Sequence, residues 1–173
     1  MKVTVEQLHQ IGASEVSANK FVDLINDTLA QFEINTALRV QHFLAQVMHE
    51  SAAFFYLKEL ASGQAYENRK DLGNIEVGDG VKFKGRGLIQ ITGRANYIAI
   101  GHDLNEDFIS HPELLETPKY ATLSAGWFWN KHGLNALADA DDIIHITKRI
   151  NGGLNGLPDR ENYLRKAKLF IHE

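Results

Sequence analysis

No cysteine occurs in the 173 residues, which removes disulfides, a thiolate nucleophile and any cysteine-based zinc site. Such a chain can fold in a reducing compartment. No stretch approaches the roughly 18 apolar residues that a membrane span needs, so stable membrane insertion is not expected. The start, MKVTVEQLHQIGASE, has no apolar core after its lysine, so a secretory leader is not expected either. An excess of positive charge is also missing. The net charge is −4 and the isoelectric point about 6.1, so no global cationic field draws the protein to nucleic acid or anionic lipid. Neither a Walker spacing nor a dinucleotide fingerprint is present.

What is there is ordinary globular material, 44% apolar and 23% charged, in a length that suits one domain with a small lobe. Most of it reads as helix. Thr4 and Gln7 have capping-box spacing and Gly12 is a stop. Ala18, Phe21, Val22, Ile25, Leu29 and Phe32 form an apolar stripe at helical spacing. Asn35 is placed to cap a third helix, with Ala37, Val40, Leu44, Val47, Met48 and Ser51 on one face. A second, polar line on that helix comprises His42, Gln46, His49 and Glu50, because steps of three, four and seven return to similar angles. It is either a solvated edge or the wall of a cleft.

From Ser62 to Gly87 the texture turns polar and glycine-rich. A loop or small β lobe is expected there, with strand fragments at Val81 to Phe83 and Leu88 to Ile91. Helical texture then returns. Thr92, Thr117 with Pro118, and Asp141 are candidate starts, and a last helix follows Pro158. The expected organisation is a single domain: N-terminal helices over 1–34, a helical core over 35–60 and 84–173, and a lobe over 61–83.

Three features bear on chemistry. His49-Glu50 would suggest a zinc protease only with a second histidine at the HExxH position, and Ala53 stands there, so no metal and no other cofactor is expected. Glu50 and Glu59 lie nine positions apart, which one continuous helix would put on opposite faces about 13 Å apart along its axis. The helix must therefore end between them if they are to work together. Finally, KFKGRGLIQIT, Lys82 to Thr92, sets two glycines around Arg86, and Gln90 and Thr92 would share a face of an extended segment. That is a row of hydrogen-bonding side chains of the kind a sugar requires, or else a plain tight turn or a phosphate-cradling loop.

HESAAF (His49 to Phe54), KGRGLIQITGRANY (Lys84 to Tyr97), AGWFW (Ala125 to Trp129) and INGGLNGLPDR (Ile150 to Arg160), in this order, resemble glycoside hydrolase family 19, and within it the compact endolysin branch. The resemblance covers roughly Asn35 to the C-terminus. It implies a mainly α, lysozyme- or chitinase-like helical domain, with a small irregular or β lobe flanking a substrate cleft. It implies Glu50 as general acid, Glu59 as the base that activates water and Thr92 as a water-positioning residue. His49, Tyr66, Arg86, Gln90, Asn151 and Arg160 are the expected substrate-binding set, and the resemblance places Arg160 near the carboxylates. Burial of Glu50 between Met48 and Phe54 would keep its proton available, while Glu59 beside Lys58 would stay ionised. Trp127 and Trp129 read chiefly as core.

Chitinases of the family often carry a lysine shortly before the Trp-Phe-Trp run, where Leu123 stands here, and the segment between Glu59 and the Gly-Arg-Gly block is short. The expected activity is therefore hydrolysis of the β-1,4 bond between N-acetylmuramic acid and N-acetylglucosamine in peptidoglycan, with inversion. Arg69, Arg86 or Arg160 would meet the polymer's carboxylates. The expected protein is a monomer made in a bacterial host cytoplasm. It would act on the wall in the periplasm after release by a holin-like membrane-permeabilising protein. A chitinase, a lytic transglycosylase and a non-catalytic wall-binding module are the alternatives.

Overall fold

The computed structural model describes residues 1–172. It is mainly helical, and its contacts divide the chain into two compact units. The first comprises residues 1–55 and those from Ala125 onward, and the second comprises 56–124. The second unit is thus larger than a 61–83 lobe and takes in the Gly-Arg-Gly block.

In the first unit, α1 (Val5–Ile11) is opened by the Thr4–Gln7 capping box and closed at Gly12, whose φ of 145° a side chain would resist. Ser14 caps α2 (Glu15–Gln31), which buries Ala18, Phe21, Ile25, Thr28 and Leu29. The cap of α3 (Ala37–Ser51) is Thr36, not Asn35. Asn35 is diverted because its carbonyl accepts from Arg39 Nη1, while the Thr36 hydroxyl accepts from the Arg39 backbone N–H.

Every residue of α3 from Val40 to Met48 is buried. Its polar line is therefore an interior seam at His42 and Gln46, on the helix that packs against α9 (Leu157–Phe170), while His49 and Glu50 at its end keep about a fifth of their side-chain surface open. Buried polar groups need partners, and His42 Nε2 finds Asp141 Oδ1 at 2.7 Å while Gln46 Nε2 donates to Thr147 Oγ1 at 3.3 Å. Asp141 is committed to this contact and to Lys168, so Asp142 rather than Asp141 caps α8 (Ile143–Asn151).

The remaining elements of the unit are α7 (Leu134–Asp139) and the later part of α6 (Pro118–Lys131), which begins at Pro118 as its sequence suggests. Gly126 in the AGWFW run lets α6 approach α2, since a Cβ there would fall 2.3 Å from the Phe32 ring and 2.5 Å from Thr28 Cγ2. Trp127 and Trp129 are both core, and Trp129 packs edge-on to Phe43.

The second unit carries α4 (Asp79–Lys82), α5 (Arg94–Leu104), the start of α6 and three 3-10 turns. The expected strand fragments are not formed. Val81 and Lys82 belong to α4, Leu88 to Ile91 make a turn, and the pairing consists of the isolated bridges Lys58–Arg86 and Arg86–Ile91. The backbone N–H groups of Lys82 and Phe83 donate to Gly78 O and Asp79 O, at 3.0 and 2.9 Å, and that of Gln90 to Gly87 O, which removes donors a sheet would pair. Thr92 does not cap α5 either; Gly93 precedes the helix, and the Thr92 hydroxyl donates instead to Gln90 O.

Candidate active site

Glu50 is the penultimate residue of α3, and α3 ends one residue later because Ala52, Ala53 and Phe54 all adopt left-handed backbone, φ 49°, 55° and 70°. Each such residue without glycine costs about 1–2 kcal/mol. Local bonds offset this. Ala53 N–H donates to Met48 O and Phe54 N–H to Ser51 Oγ, both at 2.8 Å, and Phe54 stacks on Phe21 with centroids 5.1 Å apart. The helix thus ends between the two glutamates.

Glu50 does not sit against an apolar wall. Met48 and Phe54 are spent in the core, and the partner of Glu50 is a buried guanidinium: Arg160 Nη2 lies 2.5 Å from Glu50 Oε1. The other Arg160 donors go to Gln46 Oε1 and, at 3.2 Å, to Asn155 O. One residue before, His49 Nδ1 meets Asp159 Oδ2 at 2.7 Å. The imidazole lies directly on Gly156, where a Cβ would fall 2.3 Å from Cε1. Successive residues of α3 are therefore held by successive residues of α9, His49 by Asp159 and Glu50 by Arg160. Asn151 joins through Asn155, whose backbone N–H donates to its Oδ1 at 3.3 Å. Gln46, Asp159 and Gly156 were not among the expected site residues; only Gln46 left a signal, its place in the polar line.

In the second unit Glu59 is pinned by its own backbone, with N–H to Gly85 O at 2.9 Å. Tyr66 donates its hydroxyl to Glu59 Oε2 at 2.9 Å. Burial first, then this bond and the adjacent negative charge, push the Tyr66 phenol above its ordinary value, so it remains a donor at neutral pH. Glu59 Oε1 is buried and has no hydrogen-bond partner among the described residues. An unsatisfied carboxylate oxygen is costly to keep inside a fold. Gln90 Oε1, Glu59 Oε2 and Thr92 Oγ1 converge over Gly85, within 2.8, 2.9 and 3.3 Å of where its Cβ would be. Gln90 and Thr92 therefore do share a face, but not through an extended strand. Gln90 has φ 60° and its backbone N–H donates to Gly87 O.

Arg86 has a different role from the substrate contact expected of it. It is 8% exposed and bonds Glu116, Lys82 O and the Tyr97 hydroxyl. Lys58 also pairs with Glu116, not with Glu59. The three arginines expected to meet polymer carboxylates are all engaged by protein acids: Arg69 by Asp71, Arg86 by Glu116 and Arg160 by Glu50. Among the described residues, no group of three or more His, Asp or Glu side chains is arranged to hold a metal ion, and no helix is long and apolar enough to cross a membrane.

Residues 28–155 match a family model described as chitinase class I. The chain belongs to glycoside hydrolase family 19. A family 19 domain-containing protein of Haemophilus influenzae is 39% identical over 102 residues, 59% of this chain and 49% of that protein. An endochitinase of Arabidopsis thaliana is 33% identical over 129 residues, 73% of this chain and 44% of the relative. The chain spans about half the length of these curated relatives. Chitinase C of Streptomyces griseus superposes with a TM-score of 0.80 at 23% identity, over 97% of this chain and 91% of that one. At that identity the likeness shows the family 19 lysozyme- and chitinase-like fold.

Proposed function

We propose that this family 19 protein is a peptidoglycan-degrading endolysin. It would hydrolyse the β-1,4 bond on the reducing side of N-acetylmuramic acid, with Glu50 as proton donor and Glu59 as the base for an inverting attack by water. The observation that carries hydrolysis is the buried Glu59 Oε1 with no partner of its own, beside Tyr66, Gln90 and Thr92. A water molecule needs an acceptor for its departing proton and further groups to aim its lone pair. Glu59 supplies the first, and the Thr92 hydroxyl and Gln90 amide the second. Glu50, fixed by Arg160 at the end of α3, supplies the proton to the leaving oxygen.

Muramic acid bears a lactyl-peptide group, and the brief segment from Leu60 to Phe83, held in two 3-10 turns and α4, suits a polymer with bulky substituents. On this reading the enzyme works on the wall of a bacterium in whose cytoplasm it is made, after a holin-like protein has opened the membrane. Chitin is the second reading, favoured by the names of the endochitinase and chitinase relatives.

The test is digestion of purified sacculi, borohydride reduction and mass spectrometry of the new sugar ends, beside chitin oligomers. Reduced muramic ends are expected. Reduced glucosamine ends or 1,6-anhydro ends would contradict the bond or the reaction, and intact sacculi with rapid chitin cleavage would make the protein a chitinase.

A further inference from the structure

With Arg69, Arg86 and Arg160 committed to protein carboxylates, something else must meet a charged substituent of the polymer. Five of the seven arginines are ion-paired: Arg39, Arg69, Arg86, Arg94 and Arg160. Arg149 donates to His132 O, and Arg165 donates to Asn162, a neutral amide. Among the described residues neither pairs with a carboxylate, and of the two Arg165 lines a groove.

That groove lies in the first unit, on the outer stripe of α9 and the start of α8, with a volume of about 440 Å³. Its lining combines the apolar Ile143, Leu164 and Leu169 with the charged Arg165, Lys168, Glu161 and Asp141. Leu169 is 58% exposed, a branched aliphatic side chain left in water at a helix surface. Asp141 already shares its charge with Lys168 and His42. The groove therefore offers an unpaired guanidinium, a separate carboxylate at Glu161 and methyl-bearing surface between.

We infer that this groove binds the peptide substituents of the wall glycan, an inference that rests on the proposed peptidoglycan specificity. The chemistry of such a peptide is complementary on three counts. Its free carboxylates suit the planar fork of Arg165, the ammonium of its diamino acid suits Glu161, and its alanine methyls suit Ile143, Leu164 and Leu169. Along the helix axis the near end of the groove, at Arg165, is within reach. Arg165 and Leu169 follow Arg160, which holds Glu50, by one to three turns of α9, about 7–14 Å at 1.5 Å per residue. A stem of three residues spans about 10 Å when extended. The same helix that fixes the proton donor at its first turn thus presents a cradle for the substituent further along. A glycan without peptides, such as chitin, gains nothing from it.

The test is a titration of the whole protein with the synthetic stem tripeptide of alanine, γ-linked glutamate and diaminopimelate, followed by methyl NMR. Shifts confined to Ile143, Leu164 and Leu169 are expected, with binding weakened at least ~10-fold in Arg165→Glu and less in Arg165→Lys, both with otherwise unchanged methyl spectra. Absence of shifts in these methyls, or shifts that Arg165→Glu does not diminish, would overturn the inference. So would groove shifts that follow protein concentration rather than peptide, which would mark an interface with a second copy. Because the readout is binding of an isolated peptide, it stands apart from the reaction: sacculi left uncut would refute the proposed function alone.

Discussion

Glu50 Oε1 and Arg160 Nη2 are 2.5 Å apart, and the arginine that makes this contact is 1% exposed while the glutamate side chain keeps 20% of its surface. A buried guanidinium is costly to desolvate, and it is tolerated here because Glu50, Gln46 and Asn155 O all accept from or pair with it. Arg160→Met should therefore do more than disturb the site. Removing one partner of a buried ion pair typically costs about 3–5 kcal/mol, so the urea midpoint should fall steeply, together with glycoside hydrolase activity. A variant within about 1 kcal/mol of wild type, against that same expectation, would show that the pair is peripheral to the fold.

Glu50→Gln keeps shape and the acceptor oxygen toward Arg160 but cannot deliver a proton. Turbidity clearance of outer-membrane-permeabilised cells should fall at least ~10²-fold with thermal stability retained. Lysis at the wild-type rate by a folded protein excludes the assignment.

Glu59→Gln should be impaired as severely, since the amide cannot take the water's proton, and Thr92→Val less so because solvent partly replaces a hydroxyl. Added azide should restore turnover of Glu59→Gln and give a glycosyl azide of inverted configuration. A covalent glycosyl-enzyme at Glu59 would contradict the inverting scheme.

Gly85 offers a narrower probe. It has no left-handed φ to protect, so alanine is allowed by the backbone, yet its Cβ would fall within 3 Å of Gln90 Oε1 and Glu59 Oε2. Gly85→Ala should reduce kcat at least ~10-fold, the range of a displaced acid-base group, while changing the melting temperature little. Unchanged kcat would mean that the convergence of those oxygens is incidental to turnover.

Asp79 contributes to the acid sensitivity of the second unit, together with other lowered carboxyls such as Glu116. The Arg94 hydrogen bonds, then the backbone donors of Glu76 and Ile75, overcome burial and hold its carboxyl at about 2, against an ordinary 3.8. A depressed folded value contributes stability that is present above pH 3.8 and lost as pH falls toward 2. The shift is worth about 2 kcal/mol. Denaturant midpoints at pH 6 and pH 2 should converge in Asp79→Asn relative to wild type. Equal pH slopes in the two proteins would remove Asp79 from the account.

Helix starts governed by neighbouring residues were legible: Thr4 with Gln7, and Pro118. Asn35, Thr92 and Asp141 misled because each side chain is drawn off by a partner that propensity does not see, Arg39, Gln90 O, and His42 with Lys168. The shared face of Gln90 and Thr92 was legible from their spacing, and their association with Glu59 only from the family resemblance, although the backbone achieves it by a left-handed turn at Gln90. The holding of Glu50 by Arg160 and of His49 by Asp159 joins residues 110 positions apart. Helical period says nothing about such distant pairs; the family resemblance placed Arg160 near the carboxylates but not as the partner of Glu50, around which an apolar wall was expected.

The run Ala52-Ala53-Phe54 sets a rule for anyone wishing to make this protein more heat-tolerant. Proline, the usual way to stiffen a loop, needs φ near −65° and has no place at any of these positions. Glycine, the usual way to loosen one, would here relieve left-handed backbone, so at Ala53 it is the substitution least at odds with the native turn. Libraries built on loop-rigidifying proline would lose the turn that ends α3 beside Glu50; the direction of improvement at this corner runs opposite to habit.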